Sequence, residues 1–201
     1  MTSDVLIARL IDLIGDRIEA HASELTELDQ AIGDGDHGDN MRRGFKAVSG
    51  EKEALANMPF GEALKKAGMT LVMNVGGASG PLYGSAFMAM GKSAEAMPGS
   101  RVEAARLLEA GIEAVKSRGK SDVGAKTMLD ALVPVLKSIE AGADIAAVRK
   151  AADAAVEATK PMLATKGRAA FLGERSIGHI DPGARSSALI VHAVCDALEE
   201  K

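Results

Sequence analysis

Asp29-Gln-Ala-Ile-Gly-Asp-Gly-Asp-His-Gly-Asp-Asn-Met41 is the stretch at which an otherwise helical chain stops being helical. Asp29, Asp34 and Asp36 place three carboxylates within eight residues, and Gly33, Gly35 and Gly38 interrupt them. Asp competes for backbone hydrogen bonds and Gly loses the most chain entropy, so the stretch makes a poor helix interior. It makes a good turn, because Gly tolerates positive φ and Asp bonds locally to the backbone. Three crowded carboxylates repel one another unless a cation or solvent intervenes, and their oxygens are the ligands that Mg²⁺ prefers. Taken alone, the turn fits two readings: a Mg²⁺ site whose metal holds phosphate, or a plain surface turn whose aspartates cap helices.

Outward from this turn the periodicity is helical. Leu6, Leu10, Ile14 and Ile18, with Ile7, Ile11 and Leu13 alongside, give a broad apolar face over Asp4 to about Ala22. A segment from Ser23 to Ile32 leads into the turn, and Asn40 to about Val48 reads as a helix followed by a polar linker, Ser49 to Met58. Glu62 to Asn74 is amphipathic and ends in Gly76-Gly77-Ala78-Ser79-Gly80-Pro81. Pro81 there starts a helix to about Met97. Ser100 with Glu103 forms a capping box for a helix ending near Gly119, and another helix spans about Thr127 to Ala141. Asp144 caps the next, which Pro161 kinks or breaks. Gly167 to Gly178 reads as irregular, and Asp181-Pro182 starts a last helix that reaches the C-terminus. The expectation is an all-α single domain over residues 1–201, with about eight helices and no strand.

Composition agrees. The 201 residues are 47% hydrophobic, yet there is no Trp, one Tyr and only four Phe, so Ala, Leu, Ile, Val and ten Met must build the core. That mixture favours close helix packing over sheets. The net charge of −4 comes without a basic stripe, so no nucleic-acid partner is expected. No apolar run reaches membrane-spanning length and no signal pattern opens the chain, so no membrane association is expected. The lone Cys195 suits a reducing compartment, and a cytoplasmic location is expected.

Rival motifs fail on physical grounds. Gly33 to Gly38 matches GxGxxG in form, but no strand precedes it, and Asp34 and Asp36 would repel a bare pyrophosphate. An EF-hand starting at Asp34 puts Gly38 at its fifth position and Phe45 at its twelfth, where a bidentate Glu is needed. Gly-Lys-Ser at Gly91 and at Gly119 lacks the first P-loop glycine, with Ala86 and Ala114 in its place. His21, His37, His179 and His192 are too scattered for zinc. Gly76 to Ser79, before a helix N-terminus, does form a natural phosphate cradle. The Gly- and Asp-rich stretches near 29–40, 76–81, 119–126 and 167–183 all connect helices, and loops converging at one end of a bundle can assemble a ligand site.

Four of these stretches, LDQAIGDGDHGDNM (Leu28–Met41), MNVGGASGPLYG (Met73–Gly84), KTMLDAL (Lys126–Leu132) and GRAAFLGERSIGHIDPGA (Gly167–Ala184), closely resemble the nucleotide-binding L subunit of dihydroxyacetone kinase and the matching domain of ATP-dependent dihydroxyacetone kinases. The resemblance runs over nearly the whole chain. It implies a closed barrel of eight antiparallel helices with an adenine nucleotide, ADP or ATP, in the loops at one end. It implies Asp29, Asp34 and Asp36 as ligands of two Mg²⁺ ions. His37, Gly38, Asp39, Asn40, Ala78 and Ser79 match phosphate-side contacts. Gly119, Met128, Arg168, Asp181, Pro182 and Gly183 match the remaining nucleotide contacts, with Met128 near the adenine. Asp39 departs from the family, which often carries a small or apolar residue there.

Because the dihydroxyacetone-binding domain is absent, the resemblance implies one subunit of a split kinase. No residue is expected to act covalently. In the phosphoenolpyruvate-dependent version, a phosphocarrier M subunit rephosphorylates bound ADP, and the L subunit passes the phosphoryl group to dihydroxyacetone on a separate K subunit. A homodimer is expected. Two alternatives stand beside this reading: an ATP-exchanging subunit of a split triose or tetrose kinase, and a nucleotide-sensing partner of a transcription regulator.

Overall fold

The computed structural model describes residues 2–199, and among them every regular element is a helix. Ten α-helices follow in order: α1 (Ser3–Ala20), α2 (Ala22–Ile32), α3 (His37–Gly50), α4 (Lys52–Ala56), α5 (Phe60–Asn74), α6 (Ser79–Ser93), α7 (Arg101–Gly119), α8 (Leu129–Glu140), α9 (Ile145–Ala158) and α10 (Pro182–Glu199). A 3₁₀ helix, Arg168–Ser176, precedes α10. The last helix is described to Glu199; the expectation that it reaches the C-terminus falls, for its final two residues, outside the described part. No helix among the described residues is long and apolar enough to cross a membrane.

Most boundaries sit where local chemistry puts them. The Ser100 hydroxyl accepts the Glu103 N–H at 3.2 Å and Asp144 accepts that of Ala147 at 2.8 Å, as N-caps do. Several boundaries differ from expectation. Helix α3 starts at His37 rather than Asn40, because a carboxylate eight residues upstream satisfies its first N–H groups. The linker over Ser49–Met58 contains α4, which is anchored by Leu55, buried under α1 and α5. Helix α6 begins at Ser79, so Pro81 lies in its first turn, where an N–H has no helical partner to lose. Near Pro161, where a kink or a break was expected, the helix breaks: α9 ends at Ala158. Pro134, by contrast, is tolerated inside α8.

Packing neighbours run in a cycle. Helix α1 packs on α3, α3 on α5, and then each of α5 to α10 on the next; α10 returns to α1. Helix α2 fills in against α3 and α10. Ile18, Leu25, Met41, Leu71, Ile112 and Leu129 are almost wholly excluded from solvent, an aliphatic and Met core with one edge-to-face aromatic pair, Phe45 with Phe87.

The α5–α6 pair positions the loop at 76–79. Glycines spaced seven apart on each helix face one another: a Cβ on Gly68 would lie 2.8 Å from the Gly84 carbonyl oxygen, and one on Gly91 only 2.5 Å from that of Gly61. Backbone touches backbone there, so the two helices hold the intervening Val75–Ala78 loop rigidly. Gly68→Ala is expected to destabilise the protein by about 1–3 kcal/mol through overpacking. Gly50→Ala, at a position with nothing within 4 Å, is expected to be neutral or mildly stabilising. Urea denaturation of the two variants checks the contrast.

Candidate functional site

Helix α2 ends with Asp29 in its last turn, 8% exposed. Gly33 follows so closely that a Cβ there would fall 2.0 Å from Asp29 Oδ1, and Gly35 turns the chain at φ +76°. Asp29 Oδ2 then accepts the N–H groups of Asp36 at 3.0 Å and His37 at 3.2 Å. This folds the loop back on itself. One carboxylate oxygen from each of Asp29, Asp34 and Asp36 lies within 4.8 Å of the others. Arg168 reaches across from the 3₁₀ helix to Asp34, Nη2 to Oδ2 at 2.9 Å. Three carboxylates against one guanidinium leave net negative charge, and an all-oxygen donor set fits a hard divalent cation such as Mg²⁺.

The facing wall is the α5–α6 loop. Gly77 takes φ +62°, and Gly76 packs so tightly on Asn40 that a Cβ would meet its Oδ1 at 2.4 Å. The loop delivers Ala78 and Ser79 to the N-terminus of α6, where N–H groups and the helix dipole favour an anion. Lys126 to Met128, Lys166 to Ala169 and Asp181 to Gly183 complete the walls of an open cleft, the concave kind of site at which small molecules bind.

The structure brings Asp29, Asp34, Asp36, His37, Ala78, Ser79, Met128, Arg168, Asp181, Pro182 and Gly183 together around this one cleft. The other four expected site residues stand behind it. A Cβ on Gly38 would lie 1.9 Å from the Ala22 carbonyl oxygen, so Gly38 lets α3 approach α2. Asp39 faces solvent and pairs with Arg42 at 2.8 Å. Asn40 is buried, supports the Gly76–Gly77 loop and accepts from Arg43 at 2.8 Å. Gly119 backs onto Leu82, itself a cleft residue.

Sequence reasoning missed the buried polar residues that hold the walls together. Lys126 is 1% exposed at φ +62°, and its ammonium donates to the carbonyls of Met162 (3.2 Å) and Ser176 (2.5 Å). It thereby ties the loop before α8 to the segment that carries Arg168. Asp130 accepts from the N–H groups of Gly124 at 2.6 Å and Thr127 at 2.8 Å. Thr159 accepts the Asp181 N–H at 3.0 Å. His37, Tyr83 and Ser186 form a further buried chain of hydrogen bonds. An Asp three residues after Thr127 is a readable local signal; the other contacts span tens of residues and leave no pattern in the sequence.

Burial dominates the titration of these groups. It lowers the His37 pKa against the opposing pull of the Asp29 and Asp36 carboxylates, so the imidazole is held toward its neutral form. It also lowers that of Lys126, against the field of Asp181. The Tyr83 hydroxyl is pushed up to about 12. The Asp181 carboxyl is pushed from 3.8 up to about 7, by burial first and then by Asp130 and Asp29, although it caps α10 by accepting the Ala184 N–H at 2.7 Å and feels Lys126.

A carboxyl whose pKa is higher folded than unfolded binds more protons in the folded state between those values. Its stabilising contribution is complete below the unfolded pKa of 3.8 and is lost as pH rises through about 7. Asn at 181 keeps the cap but does not titrate. Without nucleotide or Mg²⁺, the wild-type protein is therefore expected to lose stability relative to Asp181→Asn as pH is raised across that window. Urea midpoints at several pH values measure this, and a constant difference would contradict it.

Comparison with known proteins shows the family. The DAK2 domain family model matches residues 31–196. The chain is 45% identical over 186 residues to the PEP-dependent dihydroxyacetone kinase 1, ADP-binding subunit DhaL, of Listeria innocua, covering 92% of both chains. It is 40% identical over 195 residues to the corresponding ADP-binding subunit DhaL of Escherichia coli, covering 92% of this chain and 93% of that one. Among solved structures, the dihydroxyacetone kinase from C. freundii in complex with AMP-PNP and Mg²⁺ superposes with a TM-score of 0.78 at 27% identity, over 97% of this chain and 34% of that larger one. The chain belongs to the DAK2-domain family of dihydroxyacetone kinase subunits.

Proposed function

We propose that this chain is the adenine-nucleotide-binding subunit of a split, phosphoenolpyruvate-dependent dihydroxyacetone kinase. On this reading it holds ADP with Mg²⁺ and relays a phosphoryl group from a phosphocarrier protein to dihydroxyacetone bound on a separate subunit. The observation that carries the reading is the convergence of Asp29, Asp34 and Asp36 opposite Ser79 at the N-terminus of α6. Relatives named as ADP-binding subunits support the nucleotide, and the neighbour complexed with AMP-PNP and Mg²⁺ supports the metal.

Asp29, Asp34 and Asp36 would hold two Mg²⁺ ions, which when bound neutralise phosphate oxygens. The chain's own residues do the positioning. Asp29 is fixed by two backbone N–H groups, so its carboxylate needs little reorganisation to receive a cation. The Ala78–Ser79 backbone and the Ser79 hydroxyl orient phosphate oxygens at the positive end of α6. Arg168 is 65% exposed at the rim, where its guanidinium can move from Asp34 to a phosphate. Met128, 4% exposed, with Leu82 and Gly183, offers the apolar surface that suits a flat base.

Asp34→Asn or Asp36→Asn is expected to weaken Mg²⁺-dependent ADP binding by at least about a hundredfold, since even outer-shell partners of a metal are worth 10–100-fold. Circular dichroism should show the helical fold intact. Calorimetry reads the loss, and unchanged retention would remove the metal assignment. For the relay, purified chain and acceptor subunit should form dihydroxyacetone phosphate only with phosphoenolpyruvate and carrier proteins, with co-purified ADP resisting exchange. Turnover on ATP alone would instead indicate an exchanging kinase subunit.

A further inference from the structure

Between α9 and α10 the chain makes a long excursion whose middle carries Gly167 and Arg168 to the cleft. The two ends of that excursion meet at one atom. Lys126 Nζ donates to the Met162 carbonyl at 3.2 Å and to the Ser176 carbonyl at 2.5 Å. Residues 162–176 are thereby closed into a compact loop whose neck is a buried ammonium. Ser176 reinforces the neck: its hydroxyl accepts the Ala164 N–H at 2.9 Å and donates to the Gly173 carbonyl at 2.7 Å. Beside it, the Thr165 N–H donates to the Ala125 carbonyl at 3.1 Å. On the loop's inner side, Ala164, Ala169 and Leu172 pack on Ile32, next to the acidic turn. From the tip, Arg168 reaches Asp34 at 2.9 Å.

Burying a charged group is expensive, so a lysine that is 1% exposed needs a reason. Its backbone takes φ +62°, a conformation that residues other than glycine rarely adopt. Its partners are loop carbonyls rather than a carboxylate. Met162 lies beyond the end of α9 and Ser176 ends the 3₁₀ helix, so neither carbonyl has a helical N–H to accept. The ammonium satisfies both at once. Packing on Ile32 is non-directional, so it holds the loop down without fixing its tip. Hydrogen bonds at the neck are directional and do fix it.

We propose that Lys126 is a positioning residue: by closing the neck of this loop it holds the Arg168 guanidinium at the cleft, ready for a bound phosphate. The inference rests on the reading of Arg168 as a nucleotide contact. Two of the three ammonium donors go to the neck. A direct contact between the third and the ligand would act independently of Arg168, whereas the positioning role acts only through it.

A double-mutant cycle separates the two roles, with Mg²⁺ and ADP titrated calorimetrically into wild type, Lys126→Met, Arg168→Ala and the double variant. Lys126→Met keeps the side-chain length and removes the donors. It is expected to weaken ADP binding about tenfold, the scale of one hydrogen bond to a charged group. In the Arg168→Ala background it should have no effect. Backbone hydrogen exchange should quicken over residues 162–178 of Lys126→Met, while α1, α5 and α6 keep wild-type protection. Additive losses, or faster exchange along the whole chain, would overturn the inference and leave the parent reading standing. Full affinity in Arg168→Ala would remove Arg168 as a nucleotide contact and the inference with it, and no ADP binding by wild type would remove the parent reading itself. If Lys126→Met does not fold, Lys126→Gln, which keeps an amide donor for the neck, should give the same pattern at smaller size. Failure of both to fold would overturn the proposal, because Lys126 would then hold the domain rather than the loop.

Discussion

The carboxylate of Asp29 is the constraint on which the site depends. It belongs to the last turn of one helix and accepts the two N–H groups that open the next. A helix start with free N–H groups attracts negative charge, and here the charge comes from eight residues upstream in the chain. The seven residues between are thereby closed into a loop whose remaining carboxylates, Asp34 and Asp36, cannot swing apart. The same bonds begin α3 early enough to bury His37 and Gly38. The placing of the acidic loop and the packing of α3 thus both depend on one side chain.

A second rigid body faces this loop. The glycine contacts of α5 and α6 bring two helix backbones together, and the loop between them inherits their precision. Asn40 against Gly76 and His37 against Ser79 then lock the acidic loop to the cradle. Lys126 does the equivalent for the far wall, using a buried ammonium to gather carbonyls from two later segments. Asp181 lies in the field of that ammonium, which lowers its carboxyl pKa, but burial and the nearby acids Asp130 and Asp29 outweigh this and push it up to about 7. The ligand walls come from loops, but each loop is pinned by a buried polar group on a helix or beside one.

How much of this was legible follows the range of each interaction. Ser100 and Asp144 announced their helices because a cap acts over three residues. The clustering of the three aspartates was legible because they crowd within one turn, and the helix start at Ser79 because glycines and Pro81 flank it. The early start of α3 was hidden, since its cap is a carboxylate across an intervening loop. Helix α4 was hidden because its exposed face is charged and only Leu55 anchors it. Asp39 looked like part of the phosphate side by position, but its place on the helix sends it to solvent.

By itself the sequence determined the helical class, the aliphatic and Met core, the acidic turn and the glycine-rich loop before α6. All of these depend on residues within a helical turn or two of one another. The tertiary structure alone decided that the four loops share one cleft, that Lys126 is buried, and that His37 meets Ser186 across 149 positions of chain. A hydrogen bond forms where two atoms meet, and the helices that carry those atoms are brought together by burying apolar faces. Periodicity reveals those faces, but it carries no record of which polar groups will meet between them.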